Sequence, residues 1–324
     1  MMPDKKILEL ATPYLPPGKK PRLFTDTSDF MRINPYDIIC IGKRHYLVLR
    51  EEKERRFGMD EPKYWVKRTI ELETGEHRIV KLTFHESFPL KLGEITIICY
   101  RSPEKEARIL DLVRGHPNFM QGFTVRDTRG NPVRVIEIIR GKPIDYFVAQ
   151  LALDHYRYFR DHFPRFLEYF LIGARALAFL HAHGERHGDV RRDHLYLETE
   201  TMTPKWIDFD YNFDYQENPF GLDIFGLGSI LLFLAGGGIY TPARVAEELG
   251  KEVAQRIDES DFSLIYRWRI MNLKKLFPYI PQELNYVLMH FSTGAEVFYE
   301  SVEELLEDLA PVVKMAKEGR HVST

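Results

Sequence analysis

The chain has 324 residues, of which 44% are hydrophobic and 29% are charged, and its formal net charge is −3 at pH 7. This composition is typical of a soluble globular protein, and the small charge gives no reason to expect a nucleic-acid or membrane-surface partner. No apolar run approaches the length of a membrane span and no signal peptide begins the chain, so we expect a cytoplasmic location. Cys40 and Cys99 are far apart and lack metal-binding spacing, which predicts buried, reduced thiols.

Residues 1–36 combine prolines with charged residues and predict an extension that lies on the domain or forms a tail. Short apolar runs between turn signals then predict strands. These runs cover residues 38–41, 45–50, 64–72, 77–84 and 133–139. The runs at 64–72 and 77–84 flank a turn containing Gly75 and predict a hairpin. Helical periodicity dominates the chain after residue 139.

Several features predict where helices begin and end. Ser102 followed by Pro103 is a typical helix start, and Gly115 marks the end of that helix. Residues 170–183 form an amphipathic pattern, and the aromatic residues at 153–170 are predicted to be helix core rather than a docking surface. The glycines at 236–238 predict a helix end, because no Lys-Ser/Thr pair follows them as in a phosphate loop.

Two acidic residues flank a second predicted hairpin, formed by residues 195–197 and 206–207. Asp189 precedes its first strand and Asp208 follows its second strand. Because the strands pair, both carboxylates would reach the same end of the hairpin. One could orient a substrate hydroxyl while the other holds a hard cation on a phosphate. The alternative is that both are surface residues that cap turns.

At these residues the chain resembles the protein-kinase superfamily, and in particular bacterial serine/threonine protein kinases of the His-Gly-Asp type. His187-Gly188-Asp189 matches the catalytic-loop motif, with His194 in the place of its Asn, and Asp208-Phe209-Asp210 matches the Asp-Phe-Gly motif. The resemblance implies an α+β, bilobal protein kinase-like fold with a cleft between the lobes. It implies the following division: an extension at 1–36, an antiparallel-sheet small lobe at 37–139, a helical large lobe at 140–318 and a tail at 319–324.

The resemblance also implies the catalytic and metal-binding residues. Lys81, in an apolar strand, would hold nucleotide phosphates, and Glu106 would pair with Lys81. Asp189 would orient the substrate hydroxyl, while Asp208 and His194 would bind a divalent cation, Mg or Mn. The alternatives are an exposed lysine, a solvated glutamate, and a histidine that only forms hydrogen bonds to an aspartate.

ATP is the implied cofactor, together with the divalent cation. The implied nucleotide-binding residues, besides Lys81, are Val66, Ile79, Glu137, Ile139 and Tyr196. Backbone groups of Glu137 and Ile139 would contact adenine, and Tyr196 would lie near the floor of the adenine site. Asp223 resembles the aspartate that begins a large-lobe helix and anchors the catalytic loop.

The chain departs from the family pattern at two conspicuous places. Alignment backward from Lys81 puts Met59, Glu61 and Tyr64 where the family has three glycines, so the glycine-rich loop is degenerate. An acidic side chain there would repel phosphates. The segment between Asp208 and Asp223 is short and contains no Ser or Thr, which leaves no obvious platform for a peptide substrate.

Two functions of different class follow from these observations. The first is an ATP-dependent phosphotransferase that acts on Ser/Thr hydroxyls of a protein substrate or of the chain itself. The alternative is a pseudokinase that serves as a nucleotide-binding or scaffold module. The four retained charges favour the enzyme, whereas the lost glycines and the short segment favour the scaffold. A small-molecule kinase is a third interpretation, consistent with the His-Gly-Asp loop.

Overall fold

The computed structural model describes residues 4–56, 59–92, 95–214 and 217–318. Its strands, in chain order, are β1 (Leu23–Phe24), β2 (Ile38–Ile41), β3 (Arg44–Arg56), β4 (Met59–Glu71), β5 (His77–Lys81), β6 (Ser87–Leu92), β7 (Ile95–Arg101), β8 (Gly122–Arg126), β9 (Pro132–Glu137), β10 (Gly141–Pro143), β11 (Leu195–Glu198), β12 (Pro204–Trp206) and β13 (Tyr211–Phe213). Its helices are α1 (Asp4–Ala11), α2 (Pro103–Leu112), α3 (Ile144–Ala149), α4 (His155–Asp161), α5 (Phe163–Ala182), α6 (Gly221–Gly236), α7 (Pro242–Glu248), α8 (Lys251–Ala254), α9 (Leu273–Leu276), α10 (Gln282–Met289) and α11 (Val302–Lys317).

The chain divides into two compact units. The first comprises the residues up to Glu86 together with Arg101–His116 and Met120–Ile139, and the second comprises Ser87–Tyr100, Pro117–Phe119 and the chain from Arg140 onward. The hairpin β6–β7 is grouped with the second unit because β7 pairs with β13 in a three-stranded sheet. The N-terminal residues are grouped with the first unit, where Ile7 and Ala11 are fully buried.

The first unit is built on one sheet with the strand order β1-β2-β3-β4-β5-β9-β8. Only the β1–β2 pair is parallel, and the predicted hairpin is the antiparallel pair β4–β5. Because side chains alternate between the two faces of a strand, Val80 and Val135 enter a buried apolar cluster on one face. Lys81, the next residue after Val80, therefore lies on the opposite face, where the candidate site residues of this unit are found.

The second unit is mainly helical, with α5 near its centre. The predicted aromatic helix core is confirmed, since Phe159, Phe163 and Phe170 are almost completely buried. Trp206 on β12 is also buried, and its indole N–H donates to the carbonyl oxygen of Gly173 at 2.8 Å. This contact fixes the β11–β12 hairpin against α5.

The end of α6 follows the predicted glycine signal. Gly237 caps this helix with a φ of +60°, a left-handed conformation that glycine adopts at low cost. Within the described ranges no helix is long and apolar enough to cross a membrane. Both cysteines are buried and reduced, as predicted. The α+β class is confirmed by the antiparallel sheet of one unit and the helices of the other.

A partly buried histidine predicts how the stability of the second unit depends on pH. The His155 ring stacks on Phe277 at 3.6 Å, Tyr279 Oη donates to its Nδ1 at 2.7 Å, and its Nε2 donates to the carbonyl oxygen of Ala235 at 3.0 Å. Burial lowers the pKa of His155 from 6.5 to about 4. Between pH 6.5 and 4 the His155 ring is protonated in the unfolded chain but not in the folded chain, so protonation favours unfolding. The contribution of the neutral His155 ring to the free energy of unfolding is therefore complete above pH 6.5 and is lost as the pH falls towards 4.

We expect wild type to lose about 2–3 kcal/mol more unfolding free energy than His155→Phe between those two pH values. Urea unfolding at a series of pH values measures the difference, and the phenylalanine ring keeps the stacking on Phe277. Parallel stability curves for the two proteins would contradict the prediction.

Candidate functional site

In the first unit, Lys81 and Glu106 form a buried ion pair. Lys81 is the last residue of β5, and Glu106 lies in the first turn of α2, whose start is capped by the Ser102 hydroxyl accepting from the backbone N–H of Lys105. Lys81 Nζ donates to Glu106 Oε1 at 2.7 Å, and the two residues are 4% and 0% exposed. The geometry therefore excludes an exposed lysine and a solvated glutamate. Their roles towards a nucleotide stay predictions.

Arg134, which sequence reasoning missed, is a second partner of Glu106. Its Nε donates to Glu106 Oε2 at 3.0 Å, and Arg134 is 1% exposed. The sequence contained one indication of this residue, because Arg134 is a single arginine inside the apolar run that forms β9. A buried arginine requires a carboxylate partner, but the sequence alone did not identify which acid supplies it.

The predicted adenine-site residues of the first unit lie on or next to the same sheet. Val66 is the strand partner of Lys81, and Ile79 is the partner of Ile136, so these side chains share one sheet face with Lys81. Glu137 is exposed at the end of β9, and its backbone N–H donates to the carbonyl oxygen of Gln121 at 2.9 Å. Ile139 lies two residues beyond β9 and is partly buried.

The residues that align with the three glycines of the family's glycine-rich loop lie on strand β4. Strands β3 and β4 remain paired up to Arg56 and Met59, and Glu61 is opposite Glu54 within this pairing. Tyr64 is exposed on β4, and Gly58 lies outside the described residues. Paired strands with two register shifts therefore occupy the part of the sequence where glycine amides would approach phosphates.

In the second unit, Asp223 fixes the backbone of the loop that carries Asp189. The Asp223 carboxylate accepts from the backbone N–H groups of His187 and Gly188 at 2.7 and 2.8 Å, and from His181 Nε2 at 3.0 Å. Gly188 has a φ of +84°, in the left-handed region, which explains why glycine is suited to this position. The contacts are those expected of the anchoring aspartate at the start of α6.

The Asp189 carboxylate lies beside two cationic or titratable side chains. His194 Nδ1 is 3.4 Å from Asp189 Oδ2, and Arg191 Nη1 is 3.9 Å from the same oxygen. Burial raises the pKa of Asp189, while His194 and Arg191 act in the opposite direction. Such an environment suits a carboxylate that accepts a proton during a reaction, because its basicity is increased.

Asp208 and Asp210 form the part of the site suited to a cation. Their carboxylates each offer an oxygen, and these oxygens lie within 4.8 Å of each other. Asp208 has a φ of +64°, which is unusual for a non-glycine residue and often found at functional sites. Paired carboxylates supply the hard oxygen ligands that Mg²⁺ and Mn²⁺ accept. Sequence reasoning missed Asp210 as a candidate ligand, although the Asp-Phe-Asp triplet was a usable signal.

His194 lies between Asp189 and Asp208. Its Nδ1 is 2.9 Å from the carbonyl oxygen of Asp189, so this nitrogen donates and the neutral ring carries a lone pair on Nε2. That Nε2 is 3.8 Å from Asp208 Oδ2. An Nε2 lone pair that faces a carboxylate at this distance fits a cation bound by both groups. A histidine that ligates metal usually donates its other N–H in this way.

Tyr196 and the chain after Asp210 complete the second unit's site region. Tyr196 lies on β11 opposite Pro143 and Lys205, and its side chain is partly buried. The short segment after Asp210 forms β13, and the Tyr211 ring packs edge-on against Phe88 of β6 at 5.7 Å. Residues 211–213 of the segment that was predicted to lack a peptide platform are thus held as a strand.

No protein-family model and no curated protein matches the sequence. Among solved structures, the chain is similar to the crystal structure of Rad53 1-466 in complex with AMP-PNP, with 16% identity, 81% of this chain and 64% of that chain covered, and a TM-score of 0.46. It is also similar to the Mycobacterium tuberculosis PknI kinase domain, with 14% identity, 85% and 96% coverage, and a TM-score of 0.44. The chain thus spans less than two thirds of the Rad53 chain. The likeness to these solved structures concerns the fold alone.

Proposed function

We propose that this chain is an ATP-dependent phosphotransferase that acts on Ser or Thr hydroxyls of a protein substrate. The observation that carries the proposal is the loop cluster of the second unit, where the anchored Asp189 lies beside His194 and Asp208. Phosphoryl transfer needs positioned groups and charge neutralisation more than covalent chemistry. A carboxylate with a raised pKa beside a paired-carboxylate cation site supplies both requirements.

Each residue has a defined role in this proposal. Asp189 orients the substrate hydroxyl and accepts its proton, while the hydroxyl oxygen forms a bond to the γ-phosphorus and the bond to ADP breaks. Lys81 binds phosphate oxygens of the nucleotide and Glu106 orients Lys81. Asp208 and Asp210 would hold a divalent cation, which when bound neutralises charge on the phosphates.

The pseudokinase alternative is favoured by one specific observation. Strand β4 pairs with β3 at Met59 and at Glu61, which are two of the three positions where glycines would cradle phosphates, and Glu61 adds an acidic side chain there. Backbone amides committed to strand pairing are not available to phosphate oxygens. In this alternative the chain binds nucleotide weakly or not at all and acts as a scaffold.

Calorimetric titration of the purified protein with ADP and with a non-hydrolysable ATP analogue tests the proposal. The titrations are made with Mg²⁺, with Mn²⁺ and with a chelator, and transfer of radiolabel from ATP to the chain and to acceptor proteins is followed in parallel. The proposal expects metal-dependent binding and transfer. Binding without transfer to any acceptor would favour a nucleotide-binding pseudokinase, and no binding with either metal would favour a scaffold.

The position of His194 predicts a metal preference. We expect wild type to prefer Mn²⁺ over Mg²⁺, because an imidazole nitrogen is accepted more readily by manganese than by magnesium. The variant His194→Asn should move this preference towards Mg²⁺ by about tenfold in the ratio of half-saturating metal concentrations for nucleotide binding. His183→Asn, an exposed histidine after α5, is the matched control. An unchanged ratio would mean that His194 only forms hydrogen bonds to the Asp189 loop.

A further inference from the structure

Two buried cations lie directly opposite each other on neighbouring strands of the first unit. Lys81 on β5 and Arg134 on β9 are register partners, so their side chains leave the same face of the sheet. Like charges in directly opposed positions destabilise a strand pair, and burial increases this repulsion. The arrangement therefore needs an anion on this face of the sheet.

Glu106 of α2 supplies that anion and divides its two oxygens between the cations. Oε1 accepts from Lys81 Nζ at 2.7 Å, and Oε2 accepts from Arg134 Nε at 3.0 Å. The guanidinium is held in turn by the sheet, because Nη1 donates to the carbonyl oxygen of Pro132 at 2.8 Å and Nη2 donates to that of Leu82 at 3.2 Å. Arg134 thus connects Glu106 to the backbone of β9 and to that of Leu82, the residue just after β5.

We infer that Arg134 is a positioning residue that holds Glu106, and with it α2, beside Lys81 whether or not Lys81 is bound to a ligand. The three side chains carry two positive charges and one negative charge, so one net positive charge remains after Glu106 is neutralised. When Lys81 engages an anion, Glu106 keeps a buried cationic partner in Arg134. The first unit therefore keeps its Lys81–Glu106 pair without an external signal that moves α2.

Amide hydrogen exchange of the nucleotide-free protein tests this inference. In Arg134→Met we expect amides of α2 to exchange at least about tenfold faster than in wild type, because a buried charge-assisted contact is lost. Amides of β2 and β3, which are separated from β9 by at least two other strands, should be unchanged. Arg134→Lys should partly restore protection by keeping the charge. Unchanged α2 exchange, or an equal increase throughout the sheet, would overturn the positioning role.

A double-mutant cycle separates Arg134 from general packing. Lys81→Met alone should keep α2 protected, because Arg134 still neutralises Glu106. Lys81→Met combined with Arg134→Met leaves a buried carboxylate without either cation, so we expect a fall in Tm larger than the sum of the single variants. Adding Glu106→Gln to the double variant should recover much of that loss. Additive Tm changes with no recovery would show that the two cations do not share Glu106.

An effect of Arg134 on catalysis rests on the proposed function, and steady-state kinetics measure it separately. If the chain binds nucleotide, Arg134→Met should raise the KM for ATP by about tenfold, with a smaller effect on kcat, because Lys81 is then less well oriented. An unchanged KM alongside faster α2 exchange would overturn the orienting effect on Lys81. The hydrogen-exchange and Tm measurements test the positioning role of Arg134 even if the protein binds no nucleotide. A failure of this role is therefore distinguishable from a failure of the proposed phosphotransferase function.

Discussion

Phosphoryl transfer by Asp189→Asn is expected to be slower than wild type by about 10²–10⁴-fold, while nucleotide affinity changes little. The amide keeps the size of the side chain but removes the negative charge that orients the substrate hydroxyl and accepts its proton. Asp189 contacts its own loop and is positioned through the Asp223 anchor, so the variant should retain the loop backbone. Single-turnover transfer of radiolabel from ATP, together with calorimetry, measures the two quantities separately.

Asp214→Asn is the matched control, because Asp214 is an exposed carboxylate just after β13 in the same unit. It should retain wild-type transfer. Equal transfer by wild type and Asp189→Asn would remove Asp189 from the mechanism. A loss of transfer that is accompanied by an equal loss of nucleotide affinity would instead assign Asp189 to binding.

Replacement of Lys81 by Met is expected to weaken nucleotide binding by about 10²-fold. A buried ammonium that contacts phosphate oxygens makes a charge-assisted interaction, and the methionine retains the length of the chain but loses that charge. Folding should be preserved, because Glu106 still pairs with Arg134 at 3.0 Å. The loss of affinity can therefore be separated from a loss of structure.

Calorimetry measures the affinity of Lys81→Met, and circular dichroism with thermal unfolding verifies the fold. Lys43→Met is the control, since Lys43 is an exposed lysine in the turn before β3 of the same unit. Wild-type affinity in Lys81→Met would show that nucleotide phosphates do not contact this lysine. A variant that unfolds would contradict the second partner assigned to Glu106.

Features that depend on residues close together in sequence were largely predictable. The β4–β5 hairpin, the helix that begins after Ser102 and the end of α6 at Gly237 all follow from turn, capping and periodicity signals. The Asp223 anchor also agrees with its expectation, although the family resemblance rather than local chemistry suggested it. The β6–β7 hairpin was not predicted although its two strands are neighbours in sequence, and β13, the third strand of their sheet, lies more than a hundred residues later.

By itself, the sequence placed Lys81 in a strand and put Asp189 and Asp208 on either side of the β11–β12 hairpin, because the patterns of those strands are local. Only the tertiary structure decided which groups those charges meet. Strand register places Arg134 opposite Lys81, and the packing of α2 brings Glu106 to both cations. The path of the chain after Asp208 likewise brings Asp210 near its carboxylate. Strand register and helix packing depend on contacts between segments that are distant in sequence. The pattern of neighbouring residues therefore does not specify them.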